Sequence, residues 1–202
     1  IADFLRRHPK ILIMSDEIYE LLIAEGQTHY SFGAIAPDLI DRVFTVNGFA
    51  KGWAMTGWRV GYLIGQTDVI KKAIALQSQS TSNVCSFAQR GALAALQGSK
   101  DCVKKMVKSY NFRRDLITKG LIEMEGVSIT KPQGAFYAFP KIEKGNTTSV
   151  DFCKLALDKV GLAMVPGIAF GEDNCVRVSC SVSENTIIDG LQRLKKLISI
   201  VN

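Results

Sequence analysis

The sequence lacks the cysteine and histidine patterns of metal-binding and disulfide-bonded proteins. Its five cysteines are odd in number and widely spaced, and no Cys-x-x-Cys pair occurs. Neither a structural zinc nor a disulfide framework is therefore expected, and the cysteines are interpreted as small buried residues in a reducing compartment. The two histidines, His8 and His29, are isolated. Both are interpreted as surface residues, and no metal site is predicted.

Long apolar runs and a signal-peptide pattern are also missing. A membrane helix needs about 20 consecutive apolar residues, and a secretory signal combines a basic start with a short apolar run. The sequence therefore predicts a cytoplasmic protein that contacts no membrane.

A basic cluster of the kind that binds nucleic acid is not present either. Lysine and arginine exceed aspartate and glutamate by 25 to 19, which gives a net charge of +6, but the basic residues are scattered and not interleaved with aromatics. The densest basic group falls on one predicted helix and is interpreted as its solvated face. Its members are Lys104, Lys105, Lys108, Arg113, Arg114 and Lys119. Nucleic acid is therefore not expected as a partner.

The apolar pattern predicts an α/β arrangement in the first third of the chain. Short strands are predicted over residues 10–14, 42–46 and 59–64, after a helix over residues 1–8 that Pro9 ends. Continuous apolar strands with connections of this length imply a parallel or mixed sheet that is covered on both faces. Ligands of such sheets bind at the carboxyl ends of the strands, and Asp16 and Lys51 are both expected just after strand ends.

Helices dominate the middle of the chain, and the last third is typical of an α+β domain. Helices are predicted over residues 68–77, 86–96, 100–124, 150–160 and 184–200, and strands over residues 127–130, 135–139, 162–165 and 176–180. The helix over residues 100–124 is long enough to bridge two domains. The predicted division is therefore part of a large domain over 1–115 and a small C-terminal domain over 116–202.

One stretch carries reactive groups in a pattern that a folded core does not need. It reads Asn47-Gly48-Phe49-Ala50-Lys51-Gly52-Trp53-Ala54-Met55-Thr56-Gly57-Trp58-Arg59-Val60-Gly61-Tyr62. An amine, Lys51, lies in a glycine-rich turn with the guanidinium of Arg59 eight residues later, and Asp16 and Tyr19 follow the first strand. A pyridoxal phosphate site needs these groups: an amine to bind the aldehyde, a carboxylate to keep the ring nitrogen protonated, and an arginine for the phosphate.

Five motifs in this order resemble those of the class I and II aminotransferases, which are fold-type I pyridoxal phosphate enzymes. The motifs are Ser15-Asp16-Glu17-Ile18-Tyr19, Lys51 with Met55-Thr56-Gly57-Trp58-Arg59-Val60-Gly61-Tyr62, Pro132-Gln133-Gly134-Ala135-Phe136-Tyr137, Val165-Pro166-Gly167 with Phe170-Gly171, and Val176-Arg177-Val178-Ser179. The branch that the sequence resembles most includes the aspartate and aspartate/prephenate aminotransferases. The resemblance implies an α/β fold, made of part of the large mixed-sheet cofactor domain and the α+β small domain of the C-terminal half.

The resemblance also implies a role for five residues. Lys51 resembles the family's Schiff-base lysine, which moves a proton between the substrate's Cα and the C4′ carbon of pyridoxal 5′-phosphate. Asp16 resembles the partner of the ring nitrogen, and Tyr19 the phenol that donates to the O3′ oxygen. Arg59 resembles the phosphate anchor, and Arg177 the arginine that holds the substrate's α-carboxylate with a bidentate fork.

Neighbouring residues of these motifs receive weaker interpretations. Glu17 is interpreted as structural and is given no catalytic role. Phe136 and Tyr137 are expected either to line the substrate side of the site or to pack in the small domain.

Several parts of the family pattern do not occur in the sequence. The Gly-rich phosphate loop, the aromatic ring that stacks on the cofactor and the Asn-Pro-x-Asn-Pro-x-Gly run are expected upstream of Ile1, so the chain is interpreted as a piece of a longer polypeptide. That protein is expected to be a homodimer, located in the plastid stroma if it carries a transit peptide. The piece alone is expected to expose sheet edges and apolar faces and to bind the cofactor weakly or not at all.

Transamination between an aspartate-like amino acid and a 2-oxo acid is the predicted activity. A β-lyase or eliminase of the same fold would use the same Lys51, Asp16 and Arg177. A non-catalytic regulator domain of this fold and an inactive fragment are further alternatives. The match of residues 47–62 to the aspartate branch favours transamination.

Overall fold

The computed structural model describes residues 1–201, which form two compact units. The first unit is Ile1–Lys104, and the second begins at Lys105. A long helix, Asp101–Ile122, carries the chain from the first unit into the second. The predicted domain boundary falls in the same helix, and the division into 1–115 and 116–202 stays a prediction.

The first unit combines a three-stranded sheet with short and medium helices. Its strands are β1 (Ile13–Asp16), β2 (Val43–Gly48) and β3 (Gly61–Ile64). Its α-helices are α1 (Ala2–Arg7), α2 (Phe32–Ile35), α3 (Thr67–Ser80) and α4 (Ser86–Gln97), and 3-10 helices cover Pro37–Arg42 and Thr56–Trp58. β1 runs parallel to β2, and β3 runs antiparallel to β2. The predicted mixed sheet is therefore present.

The first strand begins later than predicted, because the segment before it is a turn. Arg42 donates to the carbonyls of Leu5, His8 and Ile11 at 2.9 Å each, and the Ile11 amide donates to the His8 carbonyl at 3.2 Å. These bonds fix residues 8–11 in a non-extended conformation. β1 therefore starts three residues and ends two residues later than the predicted strand over 10–14, and Asp16 is its last residue instead of lying beyond its end.

A small apolar cluster packs around one residue of β1 and one residue of β2. Its buried members are Leu5, Ala36, Leu39 and Val43, with Ala2, Ile13 and Phe32 packed against it. Other apolar surface in this unit is uncovered: all four residues of β3 are exposed, and α3 buries no residue. The sheet that was predicted to be covered on both faces is therefore open at β3. None of the helices within residues 1–201 has the length and apolar character needed to cross a membrane.

The second unit contains two small sheets beside three helices. The helices are α5 (Asp101–Ile122), α6 (Ser149–Val160) and α7 (Glu184–Val201). The strands are β4 (Val127–Ser128), β5 (Tyr137–Ala138), β6 (Lys141–Ile142), β7 (Val165–Pro166) and β8 (Val176–Ser179). β4 pairs with β6, and β8 lies between β5 and β7 with antiparallel pairing on both sides. The core includes Phe152, Ala156, Val176, Leu194 and Leu197, all almost fully buried.

Capping residues explain why α6 matches its predicted bounds. The Thr148 hydroxyl accepts a hydrogen bond from the Asp151 amide at 3.1 Å, which satisfies one of the free donors of the first turn. Gly161 ends the helix in the left-handed conformation with φ 63°. α7 also follows its prediction closely, since Ile187, Leu194, Leu197 and Ile198 are buried on one face.

The five cysteines are all free thiols, as predicted, but they are not all buried. Cys153, Cys175 and Cys180 are buried, and burial raises the pKa of all three thiols. Cys85 and Cys102 are exposed, so the interpretation of every cysteine as a buried residue is wrong for these two.

Arg114 contradicts the prediction that the basic residues of α5 form a solvated face. Its side chain is almost fully buried, and it donates to the Ala135 carbonyl at 2.7 Å and to the side-chain oxygen of Asn111. Burial lowers the pKa of the guanidinium below its ordinary value. Ala135 has a positive φ of 55°, which is strained for a residue other than glycine. Arg114 therefore holds a strained turn just before β5.

Replacing Arg114 by methionine is expected to lower the free energy of unfolding of the full-length protein by about 2–3 kcal/mol, since the Ala135 carbonyl loses a charged donor. Urea unfolding checks the change. Lys119→Met, on an exposed position of the same helix, is the control and is expected to change stability by less than about 0.5 kcal/mol. Equal effects of the two substitutions would contradict a structural role for Arg114.

Candidate active site

The register of the sheet brings the predicted site residues of the first unit to one edge. In the parallel pair, Asp16 lies opposite Val46, so β1 and β2 end at the same side of the sheet. β2 continues to Gly48, and Lys51 follows three residues later. β3 starts at Gly61, opposite Gly48, two residues after Arg59. The carboxylate, the amine and the guanidinium are therefore all carried by the same edge, where ligands of such sheets bind.

A close backbone approach between β2 and β3 requires glycine at position 48. A Cβ atom there would lie 2.8 Å from the Val60 carbonyl oxygen and 2.9 Å from the Cα of Gly61, and both are backbone atoms that cannot turn aside. The Phe49 amide donates to the same Val60 carbonyl at 3.2 Å. Gly48 thus keeps the entrance to the Lys51 turn tied to the residue after Arg59.

The turn that carries Lys51 is fixed by its own hydrogen bonds. The carbonyls of residues 49–51 all accept a bond, from the Met55 amide at 3.1 Å, the Thr56 hydroxyl at 2.9 Å and the Ala54 amide at 3.1 Å, respectively. Three consecutive peptide groups around the lysine are therefore held, and the amine is carried by an ordered loop.

Lys51 lies beside Tyr19 in this structure. The lysine Nζ is 5.9 Å from the centroid of the tyrosine ring, and both side chains are half-buried. Tyr19 is placed by a turn after β1, in which the Glu20 amide donates to the Glu17 carbonyl at 2.9 Å and the Leu22 amide to the Tyr19 carbonyl at 2.8 Å. The structure therefore brings these two predicted site residues together.

Asp16 uses one of its two carboxylate oxygens in a hydrogen bond within the described chain. Its side chain is exposed, and one carboxylate oxygen accepts a bond from the Ile18 amide at 3.1 Å. Within the described chain the other oxygen accepts no hydrogen bond. This leaves a carboxylate oxygen able to accept from a cationic N–H donor at the sheet edge.

Arg59 is held in an unusual backbone conformation. Its φ of 56° and ψ of 45° place it in the left-handed region, which ends the 3-10 helix before it and makes the predicted strand start at Arg59 wrong by two residues. The side chain is exposed and uses one of its five N–H donors, in a 3.0 Å bond to the Thr56 carbonyl. Among residues 1–201 no carboxylate pairs with it, so the remaining donors are available to an anion.

Glu17 is more elaborately held than its structural interpretation suggested. The residue is buried, and its carboxylate accepts from the hydroxyls of Ser15 at 2.9 Å and Ser31 at 3.0 Å and from the Phe32 amide at 3.1 Å, while His29 Nε2 lies 3.3 Å away. Burial by itself raises the pKa of Glu17, but these donors together lower it below its ordinary value. His29 is therefore a partner of a buried carboxylate and not a simple surface residue.

The same carboxylate belongs to the one grouping of possible metal ligands found in the described part of the chain. One ligand atom each from Glu17, Glu20 and His29 lie within 4.8 Å of one another. One oxygen of Glu17, Oε1, accepts from Ser15, Ser31 and the Phe32 amide, so the described donors satisfy this oxygen without an ion. The absence of a metal site stays a prediction.

A cation–π contact next to Lys51 is not evident from the sequence. Lys100 Nζ lies 4.1 Å from the Trp53 ring centroid, and it also donates to the carbonyls of Ala95 at 3.1 Å and Leu96 at 2.9 Å at the end of α4. The contact joins the turn of Lys51 to the end of this helix. The two residues are far apart in the chain, so no sequence pattern could have paired them.

Arg177, in the second unit, lies between two aromatic rings. Its guanidinium carbon is 4.4 Å from the Tyr137 ring centroid and 4.5 Å from that of Phe170. Pairing of β5 with β8 sets Tyr137 opposite Ser179, two residues from Arg177 and on the same face of the sheet. No carboxylate of residues 1–201 forms an ion pair with Arg177. The rings fix the plane of the guanidinium and leave its N–H edges for an anion.

A glycine places Phe170 beside this arginine. A Cβ atom on Gly167 would lie 2.1 Å from the Cys175 carbonyl oxygen and 2.2 Å from that of Glu172, so only glycine allows the approach. The Gly167 amide donates to the Cys175 carbonyl at 2.9 Å. The short helix Gly167–Phe170 is thereby tied to the chain just before β8.

Phe136 and Tyr137, which were expected either to line the substrate side of the site or to pack in the small domain, have different surroundings. Phe136 is buried, and its ring stacks on Tyr110 with centroids 5.4 Å apart. Tyr137 is half-buried and faces Arg177. Phe136 therefore packs in the core, whereas Tyr137 contacts the guanidinium of Arg177.

Comparison with known protein families identifies the source of this arrangement. Residues 1–194 match the family described as aminotransferase class I and II. The bifunctional aspartate aminotransferase and glutamate/aspartate-prephenate aminotransferase of Petunia hybrida is 43% identical over an alignment of 209 positions. The alignment covers 97% of this chain and 43% of the relative. The probable aspartate/prephenate aminotransferase of Rickettsia prowazekii (strain Madrid E) is 41% identical, over 96% of this chain and 51% of the relative. The chain thus spans about half the length of these relatives.

Solved structures give the same result for the fold. The aspartate aminotransferase from Rhizobium meliloti superposes with a TM-score of 0.92 at 33% identity, over 100% of this chain and 55% of that one. The aromatic aminotransferase from Pyrococcus horikoshii OT3 gives a TM-score of 0.92 at 35% identity, over 98% of this chain and 54% of that one. The predicted fold, part of fold-type I, is confirmed by these neighbours. The chain belongs to the class I and II aminotransferases.

Proposed function

We propose that the protein containing this chain is an aminotransferase that moves the amino group of an aspartate-like amino acid to a 2-oxo acid. The observation that carries the proposal is the shared sheet edge of Asp16, Lys51 and Arg59, set by the registers of β1 with β2 and of β2 with β3. The aspartate specificity rests on the similarity to relatives named as aspartate or aspartate/prephenate aminotransferases.

Class I and II aminotransferases depend on pyridoxal 5′-phosphate, whose ring withdraws electrons from the substrate's Cα so that its proton can leave. The residues of the first unit fit this group chemically. Asp16 has an unused carboxylate oxygen for a protonated ring nitrogen, Arg59 has unused N–H donors for a phosphate, and Lys51 supplies a primary amine between them along the chain.

Lys51 would hold the cofactor and then act as the base. A primary amine can bind an aldehyde covalently and can be displaced by the amine of a substrate. With pyridoxal 5′-phosphate bound, the released Lys51 amine would serve as the base for the Cα proton and would return that proton at C4′. The three bound carbonyls of its turn restrict how far the released amine can move, which favours both transfers.

Asp16 and Tyr19 would set the electronic state of the cofactor ring. An ionised Asp16 keeps the ring nitrogen protonated by accepting its hydrogen bond. Tyr19, whose ring lies beside Lys51 Nζ, would donate its phenolic proton to O3′. Arg59 would hold the phosphate by two parallel N–H bonds, for which its exposed guanidinium is suited.

Arg177 would bind the α-carboxylate of the substrate. The rings of Tyr137 and Phe170 hold its guanidinium in one plane, so a carboxylate can meet two N–H groups without further ordering of the side chain. Fixing the carboxylate orients the bond from Cα to its hydrogen, which decides which proton is removed.

The remaining features of the whole protein are proposed from the family. The chain would supply the end of a large domain over 1–115 and a small domain over 116–202, and the missing cofactor contacts would come from the rest of a subunit and its homodimer partner. Five free thiols favour a reducing compartment. A cytoplasmic location is proposed, or the plastid stroma if the full-length protein carries a transit peptide.

Lys51→Ala in the full-length protein is expected to abolish the covalent link to pyridoxal 5′-phosphate and to lower kcat with aspartate by about 10⁴-fold, since both the link and the base are lost. Borohydride reduction followed by mass spectrometry detects the link, and a coupled assay measures kcat. Lys71→Ala, an exposed lysine on α3, is the control and should retain both. A link that persists in Lys51→Ala would disprove the assignment.

Arg177→Lys is expected to raise KM for aspartate by at least about tenfold and to leave the affinity for pyridoxal 5′-phosphate unchanged. Lysine keeps the charge but lacks the planar fork, so the bidentate contact is lost. Steady-state kinetics and cofactor titration separate the two effects. Arg193→Lys, which changes an exposed arginine paired with Asp189, is the matched control. Unchanged KM in Arg177→Lys would contradict the role of carboxylate binding.

A further inference from the structure

We propose that Glu17 is a positioning residue for Asp16: its buried carboxylate fixes the strand end that aims the Asp16 side chain at a cationic ring nitrogen. The inference rests on the proposed function, and it assigns a role to a residue that the motif itself leaves unexplained. Three observations carry it: the hydrogen bonds to the buried Glu17 carboxylate, the anchoring of its backbone, and the dependence of Asp16 on that backbone.

The Glu17 carboxylate connects β1 to a segment more than ten residues later. The hydroxyl of Ser31 and the amide of Phe32 both donate to it, at 3.0 Å and 3.1 Å, and His29 lies within 3.3 Å. Ser15 adds a fourth contact at 2.9 Å from within the strand. A buried carboxylate with this many donors has one preferred position, because any movement leaves a charged oxygen without its partners.

The backbone of Glu17 is held as firmly as its side chain. Its amide donates to the Val46 carbonyl at 2.9 Å, which extends the parallel ladder one residue beyond β1. Its carbonyl accepts from the Glu20 amide at 2.9 Å. Both peptide groups that flank Glu17 are therefore fixed, and one of them is the peptide that joins it to Asp16.

Few groups in the described part of the chain hold the Asp16 side chain. Consecutive residues of an extended chain point to opposite faces, so the Asp16 side chain is exposed while that of Glu17 is buried. Among residues 1–201, the one hydrogen bond that Asp16 receives comes from the Ile18 amide at 3.1 Å, and Ile18 follows Glu17 directly. The direction of the Asp16 carboxylate thus depends on residues 16–18, whose central residue is anchored by the buried network.

The proposed contact of Asp16 requires a ring nitrogen in the ligand. Comparing ligands with and without that nitrogen therefore separates a misplaced Asp16 from a general loss of stability. Two probes are titrated into the full-length apoprotein: pyridoxal 5′-phosphate, and the analogue in which a C–H group replaces the ring nitrogen. Asp16 can favour the first and not the second. The ratio of the two Kd values therefore reports how well Asp16 is placed, whereas a merely structural change weakens both.

Glu17→Gln is expected to reduce the preference for the nitrogen-containing ring by about tenfold, the lower end of the effect of removing an outer partner of a ligand at metal sites. The affinity for the analogue should change by less than about twofold. Glu25→Gln, which removes an exposed carboxylate eight residues away, is the matched control and should leave the ratio unchanged. Equal loss for both probes, or no loss for either, would overturn the inference.

Ser31→Ala keeps the test decisive if Glu17→Gln does not fold. It removes one donor of the network without touching β1, so a smaller loss of preference, about threefold, is expected. An unchanged ratio in Ser31→Ala would overturn the inference. Asp16→Asn serves as the reference: if it retains the full preference, the proposed role of Asp16 fails and the inference with it. If Asp16→Asn loses the preference and the Glu17 network variants do not, Glu17 alone is wrongly assigned.

Discussion

The hydrogen-bonded ladder across β1, β2 and β3 is the constraint on which the candidate site depends. Parallel pairing makes β1 and β2 end at the same edge, and antiparallel pairing makes β3 begin there. A shift of either register by one residue would turn every side chain of the shifted strand to the opposite face. The ladder is fixed at its end by the amide of Glu17 on the Val46 carbonyl and by the close approach at Gly48. Groups more than thirty residues apart thereby share one edge.

Five charged residues of the chain fall into two groups by their surroundings. Glu17 and Arg114 are buried, and their hydrogen-bonding capacity is used within the protein, on the Phe32 amide in one case and the Ala135 carbonyl in the other. Both hold turns of the chain in place, and each needs these partners because a buried charge without partners would cost several kcal/mol. Asp16, Arg59 and Arg177 instead remain partly exposed, without ion pairs to described residues.

Much of this arrangement can be predicted from the sequence, and what cannot has a physical reason. Lys51, Asp16, Tyr19 and Arg59 are found through local motifs, because glycine spacing and strand ends are local properties. The bounds of α6 follow from its cap residues in the same way. The start of β1 could not be predicted, because it depends on Arg42 bonding to carbonyls more than thirty residues earlier. The burial of Arg114 depends similarly on the distant turn at Ala135, and a helical pattern alone places an arginine in solvent.

The contrast between the two kinds of charge also explains why the buried network lies next to the exposed carboxylate. A carboxylate that must accept a bond from a ligand cannot be saturated by protein donors, so it cannot be fixed by its own hydrogen bonds. Its orientation has to come from the adjacent backbone. Placing a buried, hydrogen-bonded acid at the next residue, on the opposite face of the strand, supplies that rigidity without competing for the oxygens of Asp16. The role proposed for Arg177 carries the same requirement, which is met differently: the rings of Tyr137 and Phe170 restrain its plane and consume none of its donors. In both cases the restraint comes from groups that do not occupy the atoms facing the ligand.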